Sequence, residues 1–318
     1  MAFFLDELRD QGYLESIQMT IANIGSRKIS DQDDYGNHAW GKFAPNLTIF
    51  GFDADPQACE EANALFEKSG SNWNEFHLPI AIGEKREDKT LYITHNPMCS
   101  SLLPPNEALL DRFVGLSELA GLNRTETVDV VSLDDFCADE SIEEIDFLQV
   151  DVQGLTLEVL KGAQNLLSKS VFAIQAEVEF SPLYSGESLF ADVDIFMRQQ
   201  GFVLFDLLTP HRGQRSPLHS QERPGQVLWT DVFYLRDPLT ADSPAWLKTP
   251  EMIFKMACIA DALNFVDYAF ELLEYLTLNF AEENTHYNFR QPILLSMENI
   301  SDKSAINQMP MLQKLLQH

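Results

Sequence analysis

The chain has 318 residues, 45% of them hydrophobic, enough to bury a full-sized core as one large domain or a domain with a satellite. Its 49 acidic residues against 22 basic ones leave a net charge of −27, which repels nucleic acid and anionic membrane surfaces alike. No basic segment followed by an apolar run opens the chain, and no stretch approaches the roughly 18 to 20 apolar residues of a membrane span. Cys59, Cys99, Cys137 and Cys258 are scattered without C-x-x-C spacing, so they frame neither a disulfide scaffold nor a zinc site. The expectation is a cytoplasmic protein with no nucleic-acid or membrane partner.

In chain order, residues 1–16 hold an amphipathic helix marked by Phe3, Phe4, Leu5 and Leu8 among acids. Residues 17–24 run apolar to a break at Gly25-Ser-Arg-Lys28 and read as a first strand. Residues 30–45 are polar, turn-rich and aromatic, a folded loop. A second strand, 47–52, ends in Asp53-Ala-Asp55-Pro56. Proline in a first helical turn lacks only an N–H that has no partner there, so a helix is expected over 57–68. Residues 74–82 suit a third strand. A loop-rich insertion, 84–131, follows, with short strands at 91–94 and 127–133 around a turn at 97–105.

The run 145–150 is apolar, ends in Asp151 and Gly154, and turns into a helix whose stripe is Val159, Leu160, Ala163, Leu166 and Leu167. Residues 171–180 read as a further parallel strand, 192–200 as a helix, and 202–208 and 227–235 as two closing strands. From 238 the pattern is helical. These elements predict an α/β domain over 1–237 and a helical extension over 238–318. The apolar stripe of the extension suits a packing face or a homo-oligomer contact.

In open α/β sheets, ligands bind beyond the carboxyl ends of the strands, which is where Asp151 falls. Gly25 after the first strand and Asp53 after the second match the nucleotide-binding arrangement of close backbone approach and a ribose-binding acid. The chain lacks G-x-G-x-x-G, so a ribose ligand without a pyrophosphate, such as S-adenosylmethionine, fits better than a dinucleotide. Gln175, Glu177 and Glu179 alternate and share one strand face. The three acids Asp151, Glu177 and Glu179 admit either a general base of raised pKa or a divalent cation on oxygen ligands. No metal is assigned. The loop 209–226 carries His211, Arg212, Arg215, His219 and Arg223, which suit an anionic acceptor, with His211 or His219 as base. A surface loop whose arginines pair with acidic surroundings is the other reading. Ser100 and Ser101 offer hydroxyls to cofactor or acceptor.

Phe50-Gly-Phe-Asp-Ala-Asp-Pro56, Ser100-Ser-Leu102, Ser132-Leu-Asp-Asp135, Asp146-Phe-Leu-Gln-Val-Asp-Val-Gln-Gly154, Glu158-Val-Leu-Lys-Gly-Ala163 and Glu177-Val-Glu-Phe-Ser-Pro-Leu-Tyr184 together resemble the FkbM-type S-adenosylmethionine-dependent methyltransferases. The resemblance implies the class I methyltransferase (Rossmann-like) sheet, seven mostly parallel strands with helices on both faces and one antiparallel strand near an edge. It implies methyl transfer to a hydroxyl of a small or sugar-like acceptor. The implied cofactor contacts are Asn23, Gly25, Ser26, Asp53, Ala81, Ile82 and Asp151, and the chemistry falls to Asp151 and Glu177 with a histidine of the loop. Two motifs depart from the family. Asn23-Ile-Gly-Ser26 stands where Asp-Val-Gly-Ala is typical, and Gln149, Gln153 and Thr156 replace a lysine and two glutamates. A decayed methyltransferase fold kept for binding, and a nicotinamide-dependent oxidoreductase, are the rival readings.

Overall fold

In the computed structural model, which describes residues 2–28, 36, 38–218 and 220–298, strand and helix alternate along most of the chain. Helix α1 (Leu5–Asp10) precedes strands β1 (Met19–Ile24) and β2 (Leu47–Phe52), helix α2 (Pro56–Ser69) and strand β3 (Asn74–Leu78). Then come β4 (Ala81–Gly83), β5 (Glu87–Thr94), α3 (Glu107–Leu110), α4 (Leu116–Ala120) and β6 (Leu122–Ser132). Helix α5 (Leu133–Asp139) leads to β7 (Phe147–Val150), α6 (Thr156–Lys161), α7 (Gln164–Lys169) and β8 (Ala173–Glu179). Next are α8 (Phe190–Gln199), β9 (Val203–Leu207), β10 (His211–Gly213) and β11 (Gln226–Leu235), and then helices α9 (Pro250–Ala262), α10 (Val266–Phe280) and α11 (Arg290–Glu298).

Strands β3, β2, β1, β7 and β8 lie side by side and parallel, and β11 runs antiparallel beside β8. Both β9 and β10 pair with the far edge of β11, which gives an eight-stranded sheet. The expected α/β sheet is present, with β10 as a strand beyond the expected seven because the loop 209–226 folds back onto β11. A separate three-stranded sheet, β4-β6-β5, is built from the insertion. The expected strand 74–82 is therefore two strands. Pro79 has no N–H to continue the ladder with β2, and Ala81–Gly83 pairs with β6 instead.

The expected helix after Asp151 is also divided. Gly162 sits where a Cβ would meet the Gly83 carbonyl oxygen at 2.1 Å, so the helix turns under β4 there. The Asp134 carboxylate accepts from Asn165 N (2.8 Å) and Leu166 N (3.1 Å) and so opens α7 afresh. The start of α2 follows the sequence rule, with Asp55 as N-cap accepting from Gln57 N at 2.9 Å and Pro56 next to it.

Alternation along each strand splits the apolar residues between two cores. Ala22, Leu148, Val150, Ile174, Val178 and Val232 face α5 to α8. Ile21, Phe147, Ala173 and Leu235 face the other way, under α9, α10 and α1. The chain beyond 250 thus supplies the helical layer on one face of the sheet. Lys255 of α9 reaches Asp146 at the amino end of β7 (2.6 Å), an ion pair with both partners buried. Seven residues further on, α9 ends at the opposite end of the sheet, where Asp261 accepts from the backbone N–H groups of Phe3, Phe4 and Leu5. This side chain serves α1 as the cap that Phe4 cannot provide.

Candidate functional site

On the α9 face the sheet changes character along the strands. Ile21, Phe147, Ala173 and Leu235 stand in register as an apolar row. The next row on the same face is Asn23, Gln149, Gln175 and Phe233. Beyond it stand Gly25, Asp151 and the registered pair Glu177 and Asp231. Carboxamides and then carboxylates replace hydrocarbon toward the carboxyl ends, and α9 stops at Ala262 where this begins. The space above the polar rows is a cavity of about 1230 Å³, reaching from Asp53 past Asp151 to Asp231. Its other wall comes from the insertion, chiefly Leu91, Ile93, Pro97, Met98 and Leu102.

Gly25 has a φ of +87°, and a Cβ there would lie 1.8 Å from the Asp151 carbonyl oxygen. The two strand ends therefore close on each other as only glycine permits. Their backbones are locked by Gly25 N and Ser26 N to the Phe52 carbonyl (2.8 and 2.9 Å) and Asp151 N to the Ile24 carbonyl (2.8 Å). Two carboxamide oxygens on the cavity floor, Asn23 Oδ1 and Gln149 Oε1, are buried without a hydrogen-bond partner. A buried acceptor left so costs about 1–3 kcal/mol, which a donor arriving from a ligand would recover.

At the other end, Asp53 takes the Asp55 N–H on Oδ1 (2.8 Å), and its Oδ2 lies 3.7 Å from Arg27 Nε. Arg27 is itself held by Asp55 at 2.5 Å. Burial lifts the Asp53 carboxyl above its ordinary value, and the Asp55 N–H and Arg27 draw it back.

Gln153 joins the floor to the insertion. Its φ is +53°, and its Nε2 donates to Asp151 Oδ1 (2.8 Å) and Glu177 Oε1 (2.7 Å). Its side-chain oxygen accepts from the Tyr184 hydroxyl (3.0 Å), which also lies 2.8 Å from the Cys99 carbonyl, and its carbonyl accepts from Ser101 Oγ (2.6 Å). A neutral amide here offers a donor to each carboxylate where a glutamate would add a third charge. Burial together with the Asp151, Glu179 and Asp231 carboxylates pushes Glu177 well above the usual glutamate range.

The structure brings Asn23, Gly25, Asp53, Ala81, Ile82, Ser100 and Asp151 to the cavity wall, along with the already engaged Ser101. Glu177 stands behind Gln153 rather than at the wall. Ser26 is buried with Oγ 3.3 Å from His77 Nδ1, also away from the cavity. The loop residues lie elsewhere. His211 stacks on Trp229 (4.7 Å, 7°), Arg212 donates to the Gly225 carbonyl (3.1 Å), and Arg215 donates to Gln226 Oε1 (2.5 Å) over the Phe113 ring. Arg223 is exposed and does not reach the cavity wall, and His219 lies outside the described residues. Arg212 and Arg215 are engaged within their own loop, which β10 holds along β11 beside the carboxyl end of β8.

The sequence does not single out Asp231 or Arg27 as site residues, and it places Gln175 on a strand face without a role. The period-two spacing of Asp231 with Phe233 and Leu235 placed it on one face, but which face opens on the cavity depends on where α9 ends. Among the described residues, no group of His, Cys, Asp or Glu is arranged to hold a metal ion.

The sequence profile of the Methyltransferase FkbM domain matches residues 34–204, over half of the chain. The chain belongs to the FkbM methyltransferase family. That match runs from ahead of β2 to the first residues of β9 and takes in Asp53, Asp151 and the insertion wall. The 2-O-methyltransferase NoeI of Sinorhizobium fredii (strain NBRC 101917 / NGR234) is 27% identical over 190 residues, 55% of this chain and 69% of that protein. The solved methyltransferase FkbM from Methylobacillus flagellatus KT is 14% identical, with 70% of this chain and 45% of that chain covered and a TM-score of 0.38. This FkbM family chain thus spans less than half of that one. TrmK of M. capricolum, solved with S-adenosyl-homocysteine, is 9% identical over 94% of this chain and 96% of its own, with a TM-score of 0.34.

Proposed function

We propose that the protein transfers a methyl group from S-adenosylmethionine to a hydroxyl of a small or sugar-like acceptor. The observation that carries this reading is the joint placement of the Gly25 cradle, the two unpartnered carboxamide oxygens and Asp53 along one cavity wall. These residues fit the donor. Asp53 suits the ribose hydroxyls, Ala81 and Ile82 give apolar surface for the adenine, and Gly25 lets the chain approach closely. Asn23 Oδ1 and Gln149 Oε1 would accept from the amino group of the methionine portion, the part played by a carboxylate where the family motif has aspartate. When bound, the cofactor supplies an electrophilic methyl group.

The remaining work belongs to this chain's own residues. Leu91, Ile93 and Met98 keep water from the reacting atoms, and fixed walls hold donor and acceptor in line, which is where such reactions gain most rate. Oxygen as the acceptor atom is supported by NoeI, a 2-O-methyltransferase. Calorimetric titration with S-adenosylhomocysteine tests the reading. Binding is expected, and Asp53→Ala should weaken it about tenfold to a hundredfold through loss of a charged acceptor. Absence of heat at millimolar ligand would leave a binding fold without its donor and reject the proposal.

A further inference from the structure

The cavity extends well past the cofactor residues, and this outer arm shows what it is built to receive. Its floor is Gln175 and Asp231, its side Phe233, and its end Leu263 just past α9. Gln175 Nε2 lies 3.4 Å from Asp231 Oδ2, a diagonal contact between β8 and β11. We infer that this arm binds the acceptor as a neutral compound with neighbouring hydroxyls, held by Gln175 and Asp231, and that Asp231 takes the proton of the hydroxyl being methylated. The inference rests on the methyltransferase reading and names its substrate class and base.

Charge selects the class. Among the described residues, the cavity wall carries Arg27, Lys42 and Arg124 against Asp6, Asp53, Asp55, Glu126, Asp151 and Asp231. Each of the three cations is already paired, with Asp53 and Asp55, with Asp6, and with Glu126. A phosphate or carboxylate on the acceptor would meet unbalanced negative charge in a partly dry site. An amine would be welcomed, but as an ammonium, because neighbouring carboxylates favour the charged form and leave nitrogen without its lone pair. A hydroxyl suffers neither penalty. Gln175 can both donate and accept, and a carboxylate accepts, so vicinal hydroxyls find complementary partners there.

Asp231 is the carboxylate placed to act. Asp151 is engaged by Gln153 on the cofactor side, and Glu177 is set behind the wall and held by the same amide. The groups facing Asp231 are Gln175 and Glu177 on β8 and the His211 ring on β10. Burial raises the Asp231 carboxyl above its ordinary value, and Gln175 and His211 pull it back, which makes its carboxylate more basic than an exposed one. The hydroxyl proton moves to Asp231 as the oxygen bonds the methyl carbon, the former carbon–sulfur pair stays on sulfur, and the proton later leaves to solvent.

The test uses the full chain saturated with S-adenosylhomocysteine. Saturation-transfer NMR is recorded with methyl α-D-glucopyranoside and myo-inositol as neutral probes, glucose 6-phosphate as the anionic one and glucosamine as the cationic one. Signal is expected from at least one neutral probe and at most a tenth as much from the phosphate. In Asp231→Asn and Gln175→Ala, that signal should fall severalfold while S-adenosylhomocysteine affinity stays within twofold of the parent, which shows that the variants are folded. Methyl transfer to the probe that binds should drop about a hundredfold or more in Asp231→Asn, within the range for loss of a general base. No signal from either neutral probe, an equal or stronger one from the phosphate, methyl transfer to the glucosamine nitrogen, or full neutral binding in both variants overturns the inference. Failure of the parent to bind S-adenosylhomocysteine instead rejects the methyltransferase reading itself.

Discussion

Gly25→Ala is the sharpest single perturbation of the site, because its cost has two separable parts. The residue sits at φ +87°, where an L side chain costs about 1–2 kcal/mol. The new Cβ would also stand 1.8 Å from the Asp151 carbonyl oxygen, so one strand end must move by more than an ångström. Such overpacking costs about 1–3 kcal/mol more, for a total of about 2–5 kcal/mol. Gly70 supplies the control. It has φ +68° at the end of α2 with nothing within 4 Å of its Cβ position, so Gly70→Ala bears the backbone cost alone, about 1–2 kcal/mol. Urea unfolding at equal m-value compares the two, and calorimetry with S-adenosylhomocysteine reads the site. Gly25→Ala should be the less stable and should lose affinity at least tenfold, and Gly70→Ala should bind as the parent does. Equal stability in the two variants, with undiminished binding in Gly25→Ala, would refute the idea that this strand-end closure forms the cofactor cradle.

Lys255→Met strands the Asp146 carboxylate in the core and should cost about 3–5 kcal/mol at neutral pH. Burial pushes Asp146 up to about 6 from an ordinary 3.8, with Lys255 pulling it back, so stability tied to its proton is complete below the ordinary value and is lost as pH rises through about 6. Unfolding at mildly acid and neutral pH should therefore show the variant's deficit shrinking in acid. Gln153→Met removes the donor shared by Asp151 and Glu177 and the acceptor for Tyr184, which should cost about 2–4 kcal/mol by urea unfolding. A change near zero would mean that the amide bridge carries no load. Asp261→Ala takes away the acceptor for Phe3, Phe4 and Leu5, and amide exchange across α1 should accelerate while β7 and β8 exchange as before.

The strand β2 and the helix after it were legible to the residue or nearly so. Their signals are local, an apolar run and then Asp55-Pro56 as cap and first turn, with Gly70 as the stop. Gly25, Asp53 and Asp151 were found for a related reason, since a turn residue at a strand end marks where a crossover begins. The insertion was harder. Half of β6 is exposed on both faces, so no alternation announces its first residues, and β5 and β6 pair beyond the expected limits. Pro79 and the contact of Gly162 with Gly83 cut two elements that the apolar pattern had joined. The arginine loop misled for a different reason. Basic residues in an acidic chain suggest a grip on an anion, but Arg212 and Arg215 turn to acceptors within the loop.

By itself the sequence determined where strands end and which acids and glycines stand at those ends, because caps, turns and apolar periods act over a few residues. Only the tertiary structure decided that Asn23, Gln149 and Gln175 form one row, since register joins β1 to β7 across more than a hundred residues of chain and β7 to β8 across a helical crossover. It alone decided that Asp231 faces the cavity. Parity along a strand fixes two faces but not which is covered, and here the choice is made by α9, which buries the apolar rows and ends at the first polar one.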